Sequence, residues 1–124
     1  MRRRVSRLAA LVTLCLPLAG HGANPAEGRA VFEDQCADCH TVTLGKNKRG
    51  PSLAGVLGSK AGSAPNYHYS AAMAASGIVW SPTRLTQYLA SPKTDVPGSK
   101  MRLLSKPSPA EVADLIAWLQ QEKP

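Results

Sequence analysis

Five consecutive residues carry the chemistry of this chain. Cys36-Ala37-Asp38-Cys39-His40 places two thiols three residues apart and an imidazole directly after the second. Cys-x-x-Cys-His is the attachment pattern of a c-type haem. Each thiol can add across one vinyl group of the macrocycle, and His40 is then held under the iron as an axial ligand. Cysteine pairs also serve other chemistries. A thioredoxin-like dithiol wants a strand before the pair, whereas a helical pattern precedes this one. A zinc site needs a second pair of ligands, and the only other cysteine is Cys15, far upstream.

Cys15 sits in a stretch of another kind. Arg2, Arg3, Arg4 and Arg7 precede an uncharged apolar run from Leu8 to Ala19, and the small residues Gly20, Gly22 and Ala23 follow. The run is about 12 residues long, whereas a membrane span needs about 20. This order of basic, apolar and small residues predicts a secretory signal peptide over 1–22, cut after Gly22 or Ala23, with one domain over 23–124. An uncleaved anchor is the competing reading. A lipoprotein leader at Cys15 is disfavoured by the bulky Leu14 before it. Bacterial haem attachment to this motif occurs outside the cytoplasm. Leader and motif therefore agree on a periplasmic protein with no stable membrane insertion after cleavage.

The leader changes the charge arithmetic. The 124 residues carry 15 Lys+Arg against 8 Asp+Glu, a formal +7. Losing four arginines and no acids leaves +3 on the mature chain. That charge is uneven. Residues 46–106 hold nine basic side chains against Asp95 alone, whereas the stretch Glu27–Asp38 nets −3 and the tail from Pro107 nets −2. Hydrophobic residues are 44%, which excludes disorder throughout. Aromatics are only 5%, thin for a self-sufficient core of this size, which leaves room for something else to help fill it. No recognition fold for nucleic acid is visible, and the basic total does not make one.

The elements must bring the motif to the end of a helix. Asn24-Pro25-Ala26-Glu27 predicts a helix start, with Asn24 as cap, Pro25 in the first turn and Glu27 closing a capping box, and the helix running to about Ala37. Ser81-Pro82 opens a second helix that Ser91-Pro92 ends. Ser108-Pro109-Ala110-Glu111 is a further capping box, followed by Val112, Leu115, Ile116 and Leu119 at helical spacing. A short helical stretch fits Ala71 to Ser76, stopped by Gly77. Nothing alternates with period two, so no sheet is expected. The loop from Thr41 to Tyr69 is too long to stand unsupported, unless it wraps a large ligand. A sixth ligand for the iron could come from His21, His68, Met73 or Met101. Met101 lies in a Pro-Gly loop from which it can point inward.

At this point the chain resembles the class I cytochromes c, in the branch of mitochondrial-type cytochrome c and cytochrome c2. Gly28-x-x-x-Phe32-x-x-x-Cys36-x-x-Cys39-His40 is similar to the family's first helix and haem site. Gly50-Pro51-Ser52-Leu53-Ala54-Gly55, Gly77-Ile78-Val79-Trp80, Tyr88-Leu89-Ala90-Ser91-Pro92-Lys93, Pro97-Gly98-Ser99-Lys100-Met101 and Asp114-Leu115-Ile116-Ala117-Trp118-Leu119 resemble its later segments in order. The resemblance spans residues 25–124. It implies an all-α fold of three main helices, with short helices and loops wrapped around one covalently bound haem c.

It also implies roles. Cys36 and Cys39 form the thioethers, and His40 and Met101 are the axial ligands. Pro51 accepts the His40 ring N–H, Tyr69 and Trp80 meet the propionates, and Tyr88 lies near Met101. Phe32 and Trp118 should meet where the terminal helices cross at Gly28. Lys46, Lys48, Lys93 and Lys100 should rim the haem edge and steer the protein to an acidic partner. The chain departs from the family at Ser59, where Arg is usual, and at Leu103, where Phe is usual. The implied activity is that of a monomeric electron carrier, not an enzyme. It would take electrons from a bc1-type donor and pass them to an oxidase, a reaction centre or a periplasmic reductase. A haem peroxidase or gas-binding protein with Met101 unbound, and a fixed subunit of a larger oxidoreductase, are the rivals.

Overall fold

Serine and asparagine side chains cap four of the described helices. A computed structural model describes residues 22–124. The leader expected over 1–22 lies outside the described residues, apart from Gly22. Five helices occur among them: α1 (Pro25–Gln35), α2 (Ala71–Ala75), α3 (Pro82–Ala90), α4 (Pro92–Asp95) and α5 (Pro109–Leu119). Ser70, Ser81 and Ser108 each accept a backbone N–H of the first turn through their side chains. At α5 the capping box is complete: Ser108 accepts from the Glu111 amide, and Glu111 accepts from the Ser108 amide.

The box expected at α1 does not form. Asn24 Oδ1 accepts the Ala26 amide at 3.0 Å, but the Asn24 N–H donates to Asp114 Oδ1 at 2.7 Å. A carboxylate on α5 has taken the donor that Glu27 was expected to hold, and so ties the first helix to the last. The helix also ends two residues before Ala37. The amides of Cys36 and Ala37 converge on the Phe32 carbonyl, both at 2.9 Å, and the chain turns there. Ser91-Pro92 ends α3 as expected, and Pro92 then starts the extra turn α4, where its fixed φ and missing N–H cost nothing. Pairing of extended chain among the described residues is one bridge, between Lys60 and Val79.

α1 and α5 cross at Gly28. A Cβ added there would lie 1.9 Å from the Asp114 carbonyl oxygen, so only glycine lets the two backbones come this close. One turn on, the Phe32 and Trp118 rings meet with centroids 4.9 Å apart and planes tilted by 44°. The core continues through Val31, Val112, Leu115 and Leu119 of this pair to Leu85 and Leu89 of α3.

The loop from Thr41 to Tyr69 is not structureless. Thr41 Oγ1 donates to the Lys46 carbonyl at 2.6 Å. Asn47 accepts the Ser52 amide at 2.9 Å and donates to the Pro65 carbonyl at 3.0 Å. Tyr67 Oη donates to the Arg49 carbonyl at 2.6 Å. The Gly55 amide reaches Glu122 beyond α5 at 2.9 Å. Polar ties of this kind replace regular ladders.

Gly28→Ala should destabilise the protein by on the order of 3 kcal/mol in urea unfolding, because the clash is with backbone that no rotamer can relieve. A wild-type midpoint would contradict this reading of the helix crossing. At the start of α5, the hydrogen bonds from the Ser108 amide hold the Glu111 carboxyl below its ordinary value of 4.5. A lowered folded-state value means that the stabilisation is complete above 4.5 and fades as the pH falls through the folded value. Glu111→Gln keeps an acceptor but removes the titration. Its stability should therefore fall less steeply than wild type below pH 4.5, and equal slopes would count against the box as an acid-sensitive element.

Candidate haem site

The motif occupies the turn that α1 leads into. The Cys39 and His40 amides both donate to the Cys36 carbonyl, at 3.0 and 2.9 Å, so one tight turn fixes both thiols and the imidazole. Cys36 and Cys39 are free and half-buried. Burial and the neighbouring Cys39 push the Cys36 thiol up to about 11. A redox-active dithiol needs the opposite shift, towards the thiolate. Among the described residues no group of three His, Cys, Asp or Glu side chains is placed to hold a metal ion. The raised Cys36 thiol does not favour the thioredoxin-like alternative.

His40 is fixed from two sides. Its Nδ1 lies 2.8 Å from the Pro51 carbonyl. A carbonyl can only accept, so Nδ1 carries the proton and Nε2 keeps its lone pair free. Burial lowers the ring's pKa and the Pro51 bond works against that, which favours the neutral, ligating imidazole. On the other side lies Gly50. A Cβ there would come within 2.4 Å of His40 Cε1, so the glycine backbone lies flush on the ring. The Gly50 amide also donates to the Cys39 carbonyl at 2.8 Å, joining the loop to the motif.

A second cluster surrounds Met101, which is half-buried against the core. Tyr88 Oη and Ser99 Oγ are 2.6 Å apart, and the Met101 amide reaches Ser99 Oγ at 3.4 Å. Lys93 Nζ donates to the Ser99 carbonyl at 2.5 Å. Ser99 is 3% exposed, so its hydroxyl is shielded from solvent. Burial lifts the Tyr88 hydroxyl above its usual range, the Ser99 bond opposes that and the Asp95 charge adds to it. Tyr88 also packs on Trp80, with centroids 5.2 Å apart. Trp80 is buried, and its backbone joins the Gly58–Lys60 segment through the Ser59 carbonyl at 2.9 Å. Tyr69 Oη accepts the Ala64 amide at 3.1 Å, which leaves its own proton to donate, and its ring stands edge-on to Tyr67 at 4.7 Å. Met73 is a buried core residue of α2, and His68 is exposed.

The four lysines divide. Lys46 is exposed. Lys48 Nζ donates to the Ala37 carbonyl at 2.5 Å, inside the Cys36–His40 turn, and Lys100 Nζ donates to the His68 carbonyl at 2.8 Å. With Lys93 on Ser99, three of the four also tie loops together through backbone carbonyls. Sequence reasoning missed Ser99, Asn47, Tyr67 and the Arg84–Asp95 ion pair. Asp95, the lone acid in a basic stretch, was the visible signal for the last of these.

Comparison with known proteins decides what this arrangement belongs to. The profile of the cytochrome c family matches residues 25–123. The chain belongs to the cytochrome c family. The cytochrome c2 of Rhodopila globiformis is 46% identical over 100 residues, 81% of this chain and 94% of that one. The cytochrome c2 iso-1 of Magnetospirillum molischianum is 48% identical, over 73% and 92%. Cytochrome cH from Methylobacterium extorquens superimposes with a TM-score of 0.72 at 41% identity, over 80% of this chain and 99% of that one. These relatives place this cytochrome in the class I c2 branch, with the all-α cytochrome c fold. Cytochromes c of this family carry one covalently attached haem c and are electron carriers, not enzymes.

The residues present fit that group. Two thiols lie in one turn, a neutral imidazole offers Nε2, and a half-buried thioether lies in a separate loop against the core. No large side chain among the described residues is wholly enclosed, and even Leu115 and Leu119 keep 3% of their surface. A flat aromatic cofactor supplies the filling that six aromatic side chains cannot.

Proposed function

We propose that this cytochrome is a soluble periplasmic carrier with His40 and Met101 as its axial ligands. The observation that carries the reading is the His40 geometry: Nδ1 is committed to Pro51, so Nε2 alone is free to ligate. Such a bond fixes the ring plane and raises the basicity of the ligating nitrogen. Cys36 and Cys39 bind haem c covalently, and the haem, when bound, supplies the one-electron couple. Met101 is the thioether that would serve as the second ligand. Soft sulfur favours the reduced iron and raises the potential over a bis-imidazole site. Tyr69 and Trp80 are the propionate donors of this reading, and Tyr88 acts through Ser99 on the Met101 loop.

With His40 and Met101 both ligating, no axial position would be left for a substrate, which favours a carrier over a peroxidase. Lys46, Lys48, Lys93 and Lys100 form the docking face towards acidic redox partners, a bc1-type donor and an oxidase, reaction centre or periplasmic reductase as acceptor. No described helix is long and apolar enough to cross a membrane. The Arg-rich leader supports export.

Met101→Ala should lower the reduction potential, open the iron to added ligands and abolish the long-wavelength sulfur-to-iron absorption band of the oxidised protein. An unchanged spectrum and potential would show that Met101 is not the ligand. Electron-transfer rates with an acidic partner should fall by roughly tenfold or more from low to high salt. A salt-insensitive rate would remove the lysine face.

A further inference from the structure

Arg84 and Asp95 form an ion pair at 2.5 Å between Nη1 and Oδ2, and it joins α3 to the last residue of α4. It is well shielded: the Arg84 side chain is 25% exposed and that of Asp95 10%. Asp95 is the only acid between Lys46 and Lys106. A pair this shielded returns little net stability, because desolvating both charges offsets most of their attraction. What it does supply is a fixed distance and direction.

That direction bears on Met101. From Asp95 the chain passes through buried Val96, and the Ser99 amide donates to the Val96 carbonyl at 2.9 Å. Two residues later comes Met101. A second line runs from the same arginine. The guanidinium lies 5.9 Å over the Trp80 ring, Trp80 packs on Tyr88, and the Tyr88 hydroxyl meets Ser99. Both lines start at Arg84 and end at Ser99, whose hydroxyl receives the Met101 amide.

We propose that the Arg84–Asp95 pair is a latch that holds the Met101 segment in place and so sets how readily Met101 gives up its position to an outside ligand. The proposal rests on Met101 being an axial ligand. Arg84 and Asp95 are positioning residues, acting through α4, Trp80 and Ser99. An outside ligand must wait for the loop to open, so its apparent affinity scales with the population of the open state.

The probe is imidazole, titrated into the oxidised holoprotein. Asp95→Asn and Arg84→Gln should each tighten imidazole binding by roughly tenfold, and the double variant should tighten it no further than either single one. Arg84→Lys, which keeps the charge, should recover part of the wild-type value. Gly28→Ala, at the far helix crossing, serves as the control: it should lower global stability and leave imidazole affinity unchanged. Affinities within about twofold of wild type in both single variants would overturn the latch, as would an equal tightening in Gly28→Ala. A wild-type spectrum without the sulfur-to-iron band would overturn the Met101 assignment and the latch with it. A normal band with unresponsive variants would overturn the latch alone.

Discussion

The hydrogen bond from His40 Nδ1 to the Pro51 carbonyl is the constraint around which the other parts are arranged. An imidazole at the end of a tight turn has two soft torsions and two chemically distinct nitrogens. The Pro51 carbonyl selects the tautomer, and the Gly50 backbone against the ring removes the remaining freedom of rotation. Both residues belong to the loop after the motif, so that loop must be fixed in turn. Asn47, Thr41 and Tyr67 fix it with side-chain bonds to backbone, and Gly55 pins it to the chain beyond α5. At the other end, Gly28 lets α1 lie against α5. Errors at Gly50 or Pro51 would reach the imidazole directly.

The two sides of the site are built differently. The His40 side is held mainly by backbone geometry and by glycines. The Met101 side is held by side chains: a tyrosine, a serine, a lysine and an ion pair. A loop held by replaceable polar contacts can open at a modest free-energy cost, whereas a turn welded to a covalent cofactor cannot. The cationic side chains serve both purposes, since Lys48, Lys93 and Lys100 anchor loops through single carbonyls and still give the surface its sign.

Much of this was legible in the sequence because the signals are local. The Ser-Pro starts of α3 and α5, the stop at Ser91-Pro92 and the glycine of the helix crossing are each decided within a few residues. The meeting of Phe32 and Trp118 followed from the spacing of the motifs and their resemblance to a known series. What was not legible depends on distant partners. Glu27 lost its expected bond because Asp114, ninety positions away, reaches the same amide. α1 stops at Gln35 because the Ala37 amide turns to the Phe32 carbonyl, which the Cys36 amide also uses. Ser99, Asn47 and Tyr67 look like ordinary loop residues until the carbonyls and hydroxyls they meet are known. Asp95 stood out by charge, but nothing local named Arg84 as its partner.

The central claim is that His40 and Met101 face one iron from opposite sides, and carbon-13 labelling of methionine methyl groups tests it most directly. The sequence holds three methionines, of which Met1 belongs to the expected leader and Met73 is in the core. In the reduced protein the account predicts one methyl resonance displaced far upfield by the ring current of the haem, and its loss in Met101→Ala. A displaced resonance that survives Met101→Ala, or no displaced resonance at all, would contradict it.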